Sequence, residues 1–220
     1  MVDCAVIVSG GLDSVTLLYH LVKELGRKPA VISFLYGQKH VREIVCATSN
    51  AAALGCPHQI CDLSAMRDLF TASALVSESI DVPTIATVRG DPQPLTYVPN
   101  RNMIFLSLAA AYAESQGVTE VFYGAQKHDM YGYWDCTPDF LNAINATLSL
   151  NRKQPIRIQA PFVNDSKADI VRRGLSMGVD YAQTWSCYNG RAAACGQCPT
   201  CAERLAAFAE IGVSDPLPYE

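Results

Sequence analysis

The chain has 220 residues, of which 50% are hydrophobic and 17% are charged, and its formal net charge is −4. These values exclude intrinsic disorder, which needs low hydrophobicity and high net charge, and they disfavour a dedicated nucleic-acid binder, which is normally basic. The length suits one large domain, or one domain with a small appendage. No apolar run reaches the roughly 18 residues of a membrane span, and the N-terminus lacks the basic start of a signal peptide. We therefore expect a cytoplasmic protein with no membrane partner.

Apolar strands and amphipathic helices alternate along the chain, in the order typical of βαβ units. The predicted strands are Cys4–Val8, Ala30–Leu35, Gln59–Asp62, Glu120–Tyr123 and Ile156–Gln159. The predicted helices are Ser14–Leu25, Lys39–Leu54, Ser64–Phe70, Asn102–Ser115, Pro138–Leu150, Ser166–Met177 and Ala202–Ile211, with Ser64 and Ser166 as N-caps. Residues 73–99 lack periodicity and are expected to form a long functional loop or lid. The pattern predicts an α/β fold with a mostly parallel sheet that binds ligands beyond the carboxyl ends of its strands.

The first predicted strand runs directly into the loop Ser9–Ser14, with the sequence SGGLDS. Its two glycines allow successive N–H groups to face an anion, and the N-terminus of the following helix adds partial positive charge. The loop has neither the Gly-Lys-Ser/Thr of a Walker A loop nor the spaced glycines of a dinucleotide-binding fingerprint. Asp13 is unusual beside phosphate and suits a cation such as Mg²⁺. The predicted phosphate-binding residues are Ser9, Gly10, Gly11, Leu12, Asp13 and Ser14.

Four of the nine cysteines, Cys187, Cys195, Cys198 and Cys201, are spaced C-x₇-C-x₂-C-x₂-C near the C-terminus. This spacing brings four thiolates to one centre, and such a set forms a closed, structural zinc site. An iron–sulfur cluster is the alternative, because thiolate ligation alone does not exclude it. We expect the metal to tie a zinc-binding helical tail, residues 185–220, to a main domain of residues 1–184.

The loop Ser9–Ser14 resembles the pyrophosphatase loop of the PP-loop ATPases, a superfamily that includes GMP synthetase, NAD synthetase and tRNA-thiolating enzymes. The resemblance implies an adenine nucleotide alpha hydrolase-like, Rossmann-like fold that binds ATP and Mg²⁺ and cleaves ATP between its α and β phosphates. Together with further motifs, the whole chain resembles the 7-cyano-7-deazaguanine synthases of queuosine biosynthesis. The additional matching segments are Tyr36–His40, Val98–Asn102, Gly132–Cys136, Pro161 with Lys167–Ile170, and Thr184–Gly190.

This second resemblance implies a ligase that forms a C–N bond at the expense of ATP. The carboxylate of 7-carboxy-7-deazaguanine would attack the α-phosphorus of ATP, and ammonia would convert the acyl-adenylate to an amide. A second activation, of the amide oxygen, followed by loss of AMP would give the nitrile. The released products would be AMP and pyrophosphate, and the resemblance also implies a homodimer.

The candidate site residues lie in the matching segments, where their charge or shape suits the implied chemistry. Lysine and arginine suit phosphate or the substrate carboxylate, histidine suits proton transfer, and an aspartate beside an aromatic ring suits a guanine-like base. The predicted catalytic residues are Asp13, Lys39, His40, Arg101 and Lys167. The predicted substrate-binding residues are Arg101, Asp129, Tyr133 and Asp135.

The motif at residues 124–137 departs from the family pattern, with Tyr131 in place of Ser, Trp134 in place of Pro and Thr137 in place of Arg. Because substrate and nucleophile are expected here, two variants stay open: a reaction that stops at the amide, and transfer of the acyl group to another amine. A PP-loop tRNA sulfur transferase is a further alternative, disfavoured by the negative net charge, which makes nucleic-acid binding unfavourable. The last alternative is a nucleotide-binding sensor that does not release pyrophosphate.

Overall fold

A computed structural model describes residues 1–88, 90–127, 129, 132–189 and 192–220. At its centre lies a five-stranded sheet in which every neighbouring pair of strands is parallel. The strands are β1 (Cys4–Ile7), β2 (Pro29–Leu35), β3 (His58–Asp62), β4 (Glu120–Phe122) and β5 (Arg157–Gln159). Their order in the sheet is β3-β2-β1-β4-β5, so the predicted α/β class with a parallel sheet is confirmed.

Helices cover both faces of this sheet. They are α1 (Leu12–Tyr19), which continues as a π-helical turn over His20–Glu24, α2 (Arg42–Ala53), α3 (Ile85–Val88), α4 (Arg101–Gln116), α5 (Pro138–Leu148), α6 (Lys167–Ser176) and α7 (Pro199–Glu210). Ala5 on β1 packs in the core with α4 and α5. Its neighbours Cys4 and Val6 pack on the other face with α1, α2, α6 and α7. A strand covered on both faces reads as a continuous apolar run, as β1 does.

The order of the strands reverses beside β1. The chain moves outward from β1 through β2 to β3, and then returns to place β4 on the other side of β1. In open α/β sheets, ligands bind at such a switch point, beyond the carboxyl ends of the two diverging strands. The loops that follow β1 and β4 are therefore the expected walls of a site.

Several helix boundaries differ from the predicted ones. Helix α1 starts two residues before Ser14 because Gly11 is extended and acts as its N-cap. Helix α2 starts only at Arg42, because the Lys39 N–H donates to the carbonyl of Leu75 in the long connection and Val41 is the N-cap. Helix α7 starts three residues before Ala202, because proline at the first helical position is already in a helical backbone conformation.

The two predicted serine N-caps had different outcomes. Ser166 caps α6 as expected, and Asp169 completes a capping box with it. Ser64 is not a cap: the segment Ser64–Phe70 is a 3₁₀ helix, and the Asp62 carboxylate accepts the Ser64 N–H at 2.8 Å. Asp62 therefore has the capping role that the sequence analysis gave to Ser64.

Residues 73–99 form the long connection between the 3₁₀ helix and α4, and α3 is a single helical turn within it. The Ala74 N–H donates to the Leu95 carbonyl at 2.7 Å, which closes the base of the connection, and the Ile85 N–H donates to the Gln197 carbonyl of the tail. None of the described helices is long and apolar enough to cross a bilayer.

The tail from residue 185 onward is attached to the rest of the chain by three kinds of contact. The Trp185 N–H donates to the Gly10 carbonyl at 3.0 Å. Ala207 and Phe208 of α7 are buried in the same cluster as α1. The buried Arg204 guanidinium donates to the Thr184 hydroxyl at 2.7 Å and to the Tyr181 carbonyl at 2.9 Å. The tail therefore lies directly against the predicted phosphate loop.

Candidate active site

One cavity of about 490 Å³ lies beyond the carboxyl ends of β1 and β4. Its walls come from the loop after β1, the segment after β2, the start of α4, the loop after β4, the start of α6, and the tail. Most of the predicted site residues line it: Ser9, Gly11, Leu12, Asp13, Ser14, His40, Arg101, Asp129, Tyr133 and Lys167. A fold with its switch point at this place thus brings together side chains that are far apart in sequence.

The loop Ser9–Ser14 is organised around the Ser14 hydroxyl. This oxygen accepts the N–H groups of Ser9 at 3.1 Å and Gly10 at 3.3 Å, and it donates to the Gly11 carbonyl at 3.1 Å. Gly10 has φ +96, and a Cβ placed there would lie 1.8 Å from the Glu43 carbonyl oxygen. Only glycine permits this backbone angle together with the close approach of α2. In this fixed loop the N–H groups of Ser9 and Gly10 converge on one oxygen atom, the kind of arrangement with which a nest binds an anion.

Lys167, in the first turn of α6, lies among three carboxylates. Its Nζ is 3.3 Å from Asp13 Oδ2 and 3.4 Å from Glu203 Oε2, and Asp129 is a further charged neighbour. Burial would lower the pKa of Lys167, but these carboxylates outweigh it and raise that pKa above its ordinary value. Burial raises the pKa of Asp129 to about 7, although the Lys167 ammonium opposes the rise. The cluster thus places three carboxyl groups around one ammonium beside the phosphate loop.

Arg101, at the start of α4, is a cation without a carboxylate partner in the described part of the chain. Its guanidinium donates to the Tyr36 hydroxyl at 3.3 Å and lies 5.9 Å from the centre of the Tyr36 ring. Holding a partly buried cation in a cavity wall without an ion-pair partner is costly. The position therefore suits an anionic ligand in the cavity.

Three buried side-chain polar atoms lack a hydrogen-bond partner among the residues that the structure describes: Asp13 Oδ1, His40 Nδ1 and Tyr123 Oη. All three residues line the same cavity. Unsatisfied buried polar atoms are rare and usually mark a missing ligand or ion. Asp13 Oδ1 is the hard oxygen donor that Mg²⁺ prefers, so the site fits a divalent cation beside the phosphate loop.

Three predicted site residues do not line the cavity. The Lys39 ammonium donates to the Ile80 carbonyl at 2.7 Å and so holds the long connection. The Asp135 carboxylate is buried and accepts the Asn102 N–H at 3.0 Å, at the start of α4. Gly10 has no surface in the cavity, and its carbonyl accepts the Trp185 N–H. These residues support the walls of the cavity, and nothing in the geometry brings Lys39 or Asp135 to a ligand.

The departures from the family motif at Trp134 and Thr137 also lie away from the cavity lining. The Trp134 ring N–H donates to the Tyr97 hydroxyl at 2.8 Å. The Thr137 hydroxyl accepts the Phe140 N–H at 3.1 Å and thereby caps α5. Tyr131 lies outside the described residues. Because neither Trp134 nor Thr137 lines the cavity, their positions give no sign that these two departures reshape the substrate pocket.

The cavity also contains residues that the sequence analysis missed. Glu43 is in the first turn of α2, and Tyr123 directly follows β4. Tyr188 and Glu203 come from the tail, one residue after Cys187 and two residues after Cys201. Tyr188 and Glu203 are so close in sequence to the tail cysteines that this spacing could have identified them. Glu43 could not be found in this way, because only the fold places α2 beside the cavity.

The four tail cysteines form one buried cluster. Their sulfur atoms all lie within 4.8 Å of one another, and four thiolates around a tetrahedral zinc at ~2.3 Å would be ~3.8 Å apart. Cys187 Sγ accepts the N–H groups of Asn189 and Cys195, each at 3.4 Å, and Cys195 Sγ accepts the N–H of Cys198 at 3.4 Å. Such N–H donors favour thiolates, so the cluster can hold a metal ion.

Sequence comparison identifies the family. Residues 3–212 match a family model described as "Queuosine biosynthesis protein QueC". The chain belongs to the QueC family. A "7-cyano-7-deazaguanine synthase" from Marinobacter nauticus is 47% identical over 221 residues, which cover 100% of this chain and 99% of that protein. A protein of the same name from Methanoregula boonei is 45% identical over 214 residues, which cover 97% of each chain.

More distant solved structures share the fold of this QueC family member. The "U34-tRNA thiolase NcsA from Methanococcus maripaludis with its [4Fe-4S] cluster" has a TM-score of 0.54 at 13% identity, with 96% of this chain and 65% of that chain covered. The "NH3-dependent NAD synthetase from Campylobacter jejuni" has a TM-score of 0.50 at 14% identity, covering 81% of this chain and 65% of the other. At these identities the likeness confirms the PP-loop fold expected from the Ser9–Ser14 motif.

Proposed function

We propose that the protein is a 7-cyano-7-deazaguanine synthase, a ligase that uses ATP to convert 7-carboxy-7-deazaguanine and ammonia to the nitrile, with release of AMP and pyrophosphate. Family membership and close relatives of that name support the proposal. The observation that carries it structurally is Arg101, an unpaired cation in the same cavity as the phosphate loop. The cavity thus offers one place for a substrate carboxylate and another for the phosphates of ATP.

The residues of the chain divide the work of activation. The converging N–H groups of Ser9–Ser14 and the Lys167 ammonium hold the phosphates, which fixes the α-phosphorus in the cavity. Arg101 binds the substrate carboxylate and orients one of its oxygens for attack. Donors that are fixed before the reaction stabilise developing charge without reorganisation, which is usually the largest catalytic contribution.

Recognition of the deazaguanine ring is assigned to the wall formed by Asp129 and Tyr133. The Tyr133 ring lies 6.4 Å from that of Tyr97, and its hydroxyl is held by Thr96 at 2.7 Å. A ring fixed in this way offers a flat surface for stacking, and the Asp129 carboxylate offers acceptors for paired N–H groups.

Two metal ions complete the proposal. Mg²⁺ would be held by Asp13, and when bound it neutralises charge on the departing pyrophosphate. Zinc would be held by Cys187, Cys195, Cys198 and Cys201 as a structural ion with no open ligand position. Because Tyr188 and Glu203 reach the cavity from the same tail, the zinc cluster also shapes one wall of the active site.

We also infer a cytoplasmic homodimer. Helix α4 buries one face in the core and leaves Met103 41% exposed. Size-exclusion chromatography with light scattering should give twice the chain mass, and a monomer at micromolar concentration would refute the dimer.

Substrate binding measured by calorimetry tests the proposal at Arg101. Replacing Arg101 with Gln removes the cation that we pair with the substrate carboxylate, so 7-carboxy-7-deazaguanine should bind at least ~10-fold more weakly, while ATP affinity changes little. Arg152, on an exposed turn, provides the matched control Arg152→Gln. Equal affinity of the Arg101→Gln variant and the unmodified protein for the carboxylate would contradict the assignment.

A further inference from the structure

Glu43 is a carboxylic acid in the cavity to which the activation chemistry gives no role. No described residue donates a hydrogen bond to its carboxylate or forms a salt bridge with it. Burial raises the pKa of Glu43 to about 7, against the opposing effect of the Arg101 guanidinium. A carboxylate without donors, in a cavity wall, is available to bind a cationic N–H group of a ligand.

The position of Glu43 relates it to both halves of the site. Its backbone carbonyl lies against Gly10 of the phosphate loop. Its carboxylate is near enough to Arg101 for that cation to oppose the rise of its pKa. If Arg101 holds the substrate carboxylate and the loop holds the phosphates, Glu43 adjoins both of the places between which the acyl-adenylate would form.

His40 supplies a second acceptor near the same end of α2. Its Nδ1 is buried without a hydrogen-bond partner among the described residues, and the residue lines the cavity. Glu43 and His40 are three residues apart, across the N-terminus of α2. Together they offer a carboxylate and an imidazole nitrogen without hydrogen-bond partners among the described residues, a pair that suits a small cation rich in N–H groups.

We propose that Glu43 and His40 form the ammonium subsite of this enzyme, with Glu43 as the base that generates ammonia from bound ammonium. The inference rests on the proposed function, because it needs an acyl-adenylate in the cavity. Ammonium is the main form at neutral pH and has no lone pair with which to attack, so a base at this point lets the enzyme use that main form.

The Glu43 carboxylate takes one proton from ammonium, and the freed nitrogen lone pair forms a C–N bond to the acyl carbon. The C–O bond to AMP breaks, and its electron pair leaves with AMP. The nitrogen loses a second proton to the phosphate of the departing AMP, which leaves a neutral amide and a protonated Glu43 that returns its proton to water.

The test separates activation from amination in the full-length protein. Exchange of labelled pyrophosphate into ATP in the presence of 7-carboxy-7-deazaguanine measures activation, and amide formation at varied ammonium concentration measures amination. Glu43→Gln should keep exchange within about threefold and lose ~10²-fold or more in kcat/KM for ammonium, as expected for loss of a general base. Hydroxylamine, which is uncharged at neutral pH, should restore turnover of Glu43→Gln to within about fivefold of the unmodified protein, because it needs no deprotonation before attack.

Two further variants make the result specific. Thr48→Ala, exposed on the same helix, should leave both rates unchanged. Glu43→Asp, which keeps a carboxylate, should fall between the Gln variant and the unmodified protein, and it serves if Glu43→Gln does not fold. An unchanged ammonium dependence in Glu43→Gln, or equal loss of exchange and amination, would overturn the subsite while leaving the proposed function intact. Absence of exchange in the unmodified protein would instead reject the proposed function and the subsite with it.

Discussion

Lys167 Nζ lies 3.3 Å from Asp13 Oδ2, so the first turns of two helices that are 154 residues apart meet at one ion pair. The pair stands at the carboxyl end of β1, where α1 and α6 both begin. Because Glu203 of the tail approaches the same ammonium at 3.4 Å, the contact joins the phosphate loop, α6 and the cysteine cluster into one site.

Removing the Asp13 carboxylate should strongly reduce the rate of catalysis without unfolding the protein. Asp13→Ala deletes the buried oxygen that lacks a partner and one of the two close contacts of Lys167. Substrate-dependent formation of AMP and pyrophosphate should fall ~10²–10³-fold, the range for one preorganised charge-stabilising group. The exposed Asp68→Ala is the control. Detection of ADP and phosphate as the main products of the unmodified protein would contradict this account of the loop.

Metal content and fold should be lost together in the cysteine variants. Cys195→Ser or Cys198→Ser breaks the buried cluster, and structural zinc contributes on the order of 10 kcal/mol to the folding of small peptides. Elemental analysis should find about one zinc per chain in the unmodified protein and in the control Cys56→Ser, which changes a cysteine outside the cluster. A metal-free protein that is fully stable to chelators would refute the cluster, and iron in place of zinc would revive the iron–sulfur alternative.

The buried ion pair of Arg204 and Asp215 should be the most sensitive link between α7 and the end of the chain. Both side chains are almost inaccessible, at 1% and 2% exposure, and Arg204 Nε is 2.7 Å from Asp215 Oδ2. Asp215→Asn leaves the guanidinium without its anion, which should lower the free energy of unfolding by about 3–5 kcal/mol. Urea denaturation measures this free energy of unfolding. The exposed pair of Arg172 and Asp169 gives the contrast, since Arg172→Gln should cost no more than ~1 kcal/mol.

Two carboxyl groups that line the cavity should each contribute less to the stability of the ligand-free protein as pH rises from about 4 to about 7. Burial raises the pKa of Asp129 and of Glu43 to about 7, whereas both ionise near pH 4 in the unfolded chain. In this window the folded state binds more protons than the unfolded state, so each group stabilises below the window and loses that contribution above it. Asp129→Asn should therefore show a smaller fall in unfolding free energy between pH 5 and pH 8. An identical pH dependence would contradict the raised pKa.

Local sequence patterns predicted the parts of the molecule that local physics determines. The strand, the glycines and the helix start around Ser9–Ser14 are adjacent in sequence, and the spacing of the four tail cysteines is short. The capping box at Ser166 is also local. Each of these features is held by contacts within a few residues, so a pattern is enough to identify it.

Features that depend on tertiary packing could not be predicted in this way. Glu203 enters the cavity only because the tail folds over the phosphate loop, and Glu43 enters because α2 packs against Gly10. Asp135 has the residue type of a base-recognising group, yet it is used to begin α4. Lys39 likewise has the charge of a phosphate ligand but is committed to the carbonyl of Ile80. Residue type and motif position therefore do not determine whether a side chain contacts a ligand or a neighbouring part of the backbone.

The central claim is tested most directly by mass spectrometry of the products after incubation of the protein with 7-carboxy-7-deazaguanine, ATP, Mg²⁺ and ammonium. The account predicts the amide and then 7-cyano-7-deazaguanine, together with AMP and pyrophosphate. It also predicts that Thr137→Arg does not increase nitrile over amide, because Thr137 caps α5 and does not line the cavity. Full recovery of the unreacted carboxylate, with no AMP formed, would contradict it.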